Sequence, residues 1–357
     1  MTINTKQLNY ILDNTPASQN IMLVGKHGIG KSRILEDYFA GKGAKVVTLF
    51  LGQMSDPGDL IGLPEKNQQT GKTDFMLPYW FPTDGKPVVL FLDELNRARP
   101  EVLQTIMDLT LNRKLAGKEL PPGSRIISAV NNGNEYQLTD LDPALVSRFN
   151  IYEFEPTVQD WLLWAEKSSL DSRIINFISE NPEFLDSTDL ENETQNLERV
   201  PDRRSWERTS QIIKNFKTLG TEQMPIVSGI IGNRATSVFF RYVNEHNIPG
   251  AKEILEGDFD SVSEVIENLS VPDFTNLNIS LYRYLETILE KTDENQKKTL
   301  SENLIKYYDF LGNNSKKEIQ SHFISLCSAE NYPETLCFIS ENCNDLYEKM
   351  MNLLTDF

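Results

Sequence analysis

The stretch Gly25-Lys26-His27-Gly28-Ile29-Gly30-Lys31-Ser32 decides how this chain folds. The apolar run before it, Ile21-Met22-Leu23-Val24, reads as a short buried strand. After it, Ile34, Leu35, Tyr38 and Phe39 recur at helical spacing up to Ala40, and Gly41 and Gly43 break the helix. The spacing G-x-x-x-x-G-K-[ST] between a strand and a helix is that of a phosphate-binding loop. Glycines admit dihedrals closed to other residues and let backbone N–H groups face phosphate oxygens. The helix amino terminus adds partial positive charge. In this reading Lys31 reaches the β and γ phosphates and Ser32 holds Mg²⁺ through its hydroxyl. A glycine turn that only opens a helix is the plainer alternative; the flanking strand and helix are the context that phosphate binding requires.

Further along, Lys45 to Leu51 forms a second strand, and glycines and prolines between Gly52 and Pro64 break regularity. Thr70 to Phe81 has hairpin character, and its aromatics Phe75, Tyr79, Trp80 and Phe81 argue for order or for an ordinary core patch. Val88 to Leu92 is the most apolar run of the first half and reads as a central strand buried on both faces. It ends in Asp93-Glu94. Two carboxylates at the end of a buried strand are costly without a cation or hydrogen bonds, and ligands of a doubly wound sheet sit at that end. Asp93 then binds Mg²⁺ through water, and Glu94 orients and polarises the water that attacks the γ phosphate. The alternative is a pair of acids favoured at a helix start, since Pro100, Val102, Leu103, Ile106 and Met107 open a helix soon after. Arg125 to Val130 is a fourth strand ending in Asn131-Asn132, an amide pair that can serve the γ phosphate or simply mark a turn. Leu141 to Phe149 reads as a short helix bearing Arg148, and Asn150 to Phe154 as a fifth strand. Strands alternating with helices predict an α/β fold with a parallel sheet. Residues 1–20 are polar with one amphipathic turn, Leu8 to Leu12, and are expected to precede the core.

From Pro156 the pattern turns helical. Apolar stripes run through Trp161, Leu162, Trp164 and Ala165, and through Ile174, Ile175, Phe177 and Ile178. Residues 186–203 are polar and loop-like. A helix from Pro201 to Phe216 and another over Ala235 to Tyr242 follow, and residues 250–357 read as all-helical. No apolar run approaches the ~18 residues of a membrane span, and Met1 to Tyr10 shows no basic-then-apolar signal pattern, so a cytoplasmic protein is expected. Cys327, Cys337 and Cys343 lack paired zinc-site spacing and read as buried free thiols. Of the 357 residues, 1–150 hold 16 Lys and Arg against 16 Asp and Glu, so the whole net charge of −17 lies in residues 151–357. An acidic second half repels nucleic-acid phosphate and anionic membrane.

Taken together, GKHGIGKS, QMSDPGDLIGLP, VVLFLDELNRA, AVNN, LDPALVSRF and PDRRSW, in that order from Gly25 to Trp206, resemble the AAA+ ATPases and, within them, the MoxR-type group. The resemblance covers roughly Ile21 to Tyr242. It implies a P-loop NTPase with a five-stranded parallel sheet in 51432 order over residues 1–155, a helical lid over 156–249, and leaves 250–357 as an additional helical domain. Residues 54–85 carry an insertion and 111–124 a hairpin in that scheme. It implies ATP and Mg²⁺ as ligands, with Gly25, Lys26, His27, Gly28, Ile29, Gly30, Lys31, Ser32 and Arg33 on the nucleotide and Ser32 and Asp93 on the metal. Glu94 is then the catalytic glutamate and Asn131 the sensor asparagine. Arg148 is the finger that reaches a neighbouring subunit's nucleotide, and Arg204 is the lid arginine, with Arg203 its rival. Members are typically ring hexamers that work with a protein client, often one carrying a von Willebrand A-type domain. His27-Gly28 and Asn132 depart from the usual residues at their positions without removing a catalytic group. Two other readings compete with an ATP-driven remodeller: a nucleic-acid-directed motor subunit of a restriction or defence system, and a nucleotide-gated scaffold.

Overall fold

The computed structural model describes residues 2–131, 141–186, 199–246, 248–313, 316–328 and 331–355. The chain folds as two compact units, residues 1–157 and 158–357.

The first unit is built on strands β1 (Thr2–Ile3), β2 (Asn20–Gly25), β3 (Lys45–Phe50), β6 (Val88–Asp93), β9 (Arg125–Asn131) and β10 (Phe149–Phe154). They form one parallel sheet in the order β1-β10-β2-β9-β6-β3. The five expected strands therefore lie in the expected 51432 order, and with the phosphate loop they make a P-loop NTPase fold. The sheet has a sixth strand, however. Thr2 and Ile3 pair with Glu153 and Phe154, so this segment joins the core through Ile3, Leu8 and Leu12 rather than preceding it. Asn4 caps helix α1 (Thr5–Asn14) in a capping box with Gln7, which aims Leu8 and Leu12 at the sheet, where both are buried.

Alternation along β6 shows why its sequence is apolar throughout. Val88, Leu90 and Leu92 enter one core, against α4 (Pro100–Asn112), while Val89 and Phe91 enter the other, with Leu35 and Phe39 of α2 (Lys31–Gly41). A strand buried on both faces has no polar position to spare. Between β3 and β6, α3 (Gly58–Ile61) precedes a hairpin of β4 (Leu63–Lys66) and β5 (Thr73–Met76). The hairpin thus begins before Thr70, where the sequence pattern alone put its start. Trp80 and Phe81 are core, but Tyr79 is 93% exposed. A second, shorter hairpin pairs β7 (Lys114–Leu115) with β8 (Lys118–Glu119). Helix α5 is only Pro143–Val146, capped by the Asp142 carboxylate, so Arg148 lies in the turn after it and not on it.

The second unit is helical: α6 (Val158–Lys167), α7 (Ser172–Glu180), α8 (Arg203–Ile213), α9 (Met224–Ile231), α10 (Asn233–Glu245), α11 (Ala251–Glu256), α12 (Phe259–Glu267), α13 (Val271–Ile288), α14 (Glu294–Asn313), α15 (Lys317–Ser325), α16 (Pro333–Asn342) and α17 (Asn344–Thr355). One core gathers Trp161, Phe177, Trp206 and Phe239; another gathers Phe274, Leu281, Leu304 and Phe323. Arg283 of α13, 1% exposed, joins them by pairing with Glu166 of α6 at 3.1 Å. Burial holds the Glu166 carboxyl above its ordinary range despite that arginine. All three cysteines are free, but only Cys343 is fully buried and Cys337 is exposed. Among the described residues no helix is long and apolar enough to cross a membrane.

Candidate nucleotide site

Register brings the site together. In the parallel sheet Gly25 stands opposite Asn131, and Phe50 opposite Asp93, so the carboxyl ends of β2, β9 and β6 form one rim. The loop leaves that rim at Gly25, where a Cβ would stand 2.5 Å from the Phe154 carbonyl oxygen. Gly30 has φ +91° and is the cap residue of α2, with no side-chain cap. The first amides of α2 are thus open to an anion. Ile29 is buried and anchors the loop, whereas Lys26 and His27 are exposed. Arg33 is exposed too and pairs with Asp37 at 3.3 Å, so its guanidinium is engaged along α2.

Lys31 is buried and donates to the carbonyls of Gly25 and Lys26 at 2.9 and 2.8 Å and to Oδ1 of Asn131 at 2.9 Å. Burial drives its ammonium down to about 8, against the pull of Asp93 and Glu94. Ser32 Oγ donates to Asp93 Oδ2 at 2.9 Å. The predicted Lys31, Ser32, Asp93, Glu94 and Asn131 therefore share one site. Ser32 and Asp93 offer a hydroxyl and a carboxylate, the hard oxygen donors that suit Mg²⁺, from the loop and the strand end respectively.

Three residues to which the sequence assigns no role, Gly52, Asn96 and Arg97, complete it. Glu94 adopts a left-handed conformation, φ 56° and ψ 41°, a backbone state costing about 1–2 kcal/mol in a non-glycine residue. Its carboxylate accepts from Arg97 Nη1 at 2.6 Å. At Gly52 a Cβ would stand 3.0 Å from Glu94 Oε2 and 3.1 Å from the Cβ of Arg97, so the glycine makes room for the pair. Asn96, buried, donates from Nδ2 to the Asn131 carbonyl at 2.9 Å and accepts from the Asn131 N–H at 3.4 Å. Asn96 and Arg97 stand inside the DELNRA motif, but spacing alone gives no partner for either.

Arg148 is not at this rim. Phe149 pairs with Asn20 and Glu153 with Val24, which puts Arg148 at the opposite end of the sheet. Five residues at about 3.3 Å make that roughly 16 Å from the loop. In the second unit Arg203 is buried and pairs with Asp186 at 2.9 Å, whereas Arg204 on the first turn of α8 is exposed. Asn132 lies outside the described residues.

Residues 20–149 match the family model of the AAA domain, dynein-related subfamily. Over 162 residues the chain is 31% identical to a protein of Thauera aromatica carrying the name Putative chaperone BssE; the match covers 42% of this chain and 56% of that one, so the chain spans little more than half of that relative's length. Among solved structures, a RuvB mutant from Thermotoga maritima aligns at 16% identity and a TM-score of 0.39, covering 77% of this chain and 80% of the other. NtrX from Brucella abortus aligns at 14% and 0.36, covering 90% and 68%. Neither likeness bears on function.

Proposed function

We propose, from the match of residues 20–149 to the AAA-domain family model and the geometry of the site, that the protein hydrolyses Mg·ATP bound between copies of itself in a ring, and uses the cycle to remodel or activate a protein partner. The observation that carries this reading is the meeting of two distant segments: Ser32 Oγ lies 2.9 Å from Asp93 Oδ2, beside buried Lys31.

Lys31 exchanges its loop carbonyls for the β and γ phosphates, and the open amides of α2 bind the same anion. Ser32 and Asp93 would hold Mg²⁺, which when bound would neutralise charge on the phosphate oxygens. Glu94 leaves Arg97, orients a water and takes its proton as the water attacks. Asn131, steadied by Asn96, holds the water or the γ phosphate. Arg148 acts on a neighbour's nucleotide. Arg204 is the lid arginine, since Arg203 already has Asp186. In this reading residues 156–249 are the lid and 250–357 a further domain. The ring is a hexamer and the client is one carrying a von Willebrand A-type domain, as the MoxR resemblance implies. The name of the Thauera relative agrees with a protein client, and the acidity of residues 151–357 weighs against duplex DNA.

Fluorescent-nucleotide binding and phosphate release test it. Lys31→Ala should lose binding. Glu94→Gln should bind normally and lose about 10²-fold or more in turnover. Turnover at the wild-type rate in Glu94→Gln sinks the proposal.

A further inference from the structure

A polar node occupies the end of the sheet opposite the phosphate loop. Asn20 opens β2 and is 5% exposed. Its Nδ2 donates to the Thr110 carbonyl at 2.9 Å and to the Arg148 carbonyl at 3.0 Å. Its Oδ1 accepts from Nη2 of Arg113 at 3.0 Å. Arg113 is the left-handed residue, φ 58°, that ends α4 and starts the β7–β8 hairpin. Its carbonyl closes the far side of that hairpin by accepting from the Leu120 N–H at 2.8 Å. Its guanidinium also donates to the carbonyls of Ser124 and Ala17, each at 2.9 Å.

One amide thus ties three things: the last turn of α4, the root of the hairpin and the main chain of Arg148. Both N–H groups of Asn20 are used, and so is its carbonyl oxygen. Arg148 is the reverse case. Its main chain is held, yet among the described residues its Nη1 has no hydrogen-bond partner. A guanidinium nitrogen left unpaired is costly, and the Arg148 side chain is half-buried, so a held main chain with an unfinished side chain suits a residue that completes its bonds by turning toward an incoming acceptor.

We infer that Asn20 and Arg113 are positioning residues for Arg148, and that they transmit displacement of the 114–119 hairpin to it. The inference rests on the reading of Arg148 as an arginine acting on a neighbouring copy. A shift of about 1 Å at the hairpin root breaks the Arg113–Asn20 bond and loosens the hold on the Arg148 carbonyl. Misplacement on that scale can cost about 10²-fold in rate.

The test uses the full chain and mixed subunits. Asn20→Ala should lower turnover by about 10-fold or more while leaving fluorescent-nucleotide affinity unchanged, and should speed amide hydrogen exchange around Arg148. Its own phosphate loop is intact, so mixing it with Lys31→Ala subunits, whose Arg148 is properly held, should restore turnover well above the sum of the two alone. Arg113→Lys keeps the charge but loses the two-nitrogen fork, and should behave alike; it carries the test if Asn20→Ala does not fold. A parallel mixture of Arg148→Ala with Lys31→Ala sets the reference. Recovery there but none with the Asn20 or Arg113 variants overturns this inference alone. No recovery in any mixture overturns the reading of Arg148 as well. A loss of nucleotide affinity equal to the loss of turnover reduces Asn20 to a structural residue and overturns the inference.

Discussion

Lys31 is charged at neutral pH in a place that resists charge. Two carbonyls and the Asn131 amide oxygen hold its ammonium, yet burial still brings it down to about 8. A bound triphosphate favours the ammonium and raises that value again. Below about pH 7 the lysine is already protonated and binding moves no proton. From about pH 8 upward the unliganded lysine is increasingly neutral, so binding draws in a proton and affinity falls as pH rises. Calorimetry at about pH 8 in buffers of different ionisation enthalpy should show uptake of about half a proton, vanishing near about pH 6.5. Equal uptake at both values would remove Lys31 as its source.

At the scale of elements, the close approach of β2 to β10 sets a second prediction. Gly25→Ala places a methyl 2.5 Å from a backbone oxygen and 2.9 Å from Ile29 Cδ1. The backbone cannot yield as a side chain would, so thermal or urea unfolding should show a loss of about 1–3 kcal/mol, together with weakened nucleotide binding. A stability unchanged within error would mean the strand ends part freely. Likewise Glu166→Ala leaves Arg283 buried and uncompensated, at a cost of about 3–5 kcal/mol, read from the same unfolding curves. These elements were unequally legible. Strands β2, β6 and β9 announced themselves because burial on both faces demands apolar runs, as in Val88 to Leu92. Strand β1 did not, because two residues carry no periodicity. Its place is set by pairing with Glu153 and Phe154, a contact distant in sequence. The site followed the same division. Lys31, Ser32, Asp93 and Glu94 stood out because a phosphate and metal site would demand those residue types at fixed spacing, and the fold brings them together. Asn96, Arg97 and Gly52 serve other residues, and which residues those are depends on the folded backbone.

For the molecule as a whole, if the protein hydrolyses ATP as proposed, the position of Arg148 sets how turnover depends on assembly. The arginine and the loop lie at opposite ends of β2 and β10, roughly 16 Å apart along the strands, so within one copy the guanidinium cannot reach the γ phosphate. Its sequence neighbours gave no such distance; parallel register did. If Arg148 supplies charge to the reaction, it does so to another copy, and an arginine in that role is worth about 10³–10⁵ in rate. Turnover per subunit should then rise with protein concentration and level off once copies associate, while nucleotide affinity measured at the lowest concentrations stays that of the isolated site. Arg148→Ala should flatten the rise and hold turnover at the dilute level even when sedimentation shows full assembly. A turnover per subunit that is constant across the association range, or an Arg148→Ala variant as active as the parent when assembled, would return the whole reaction to the single copy.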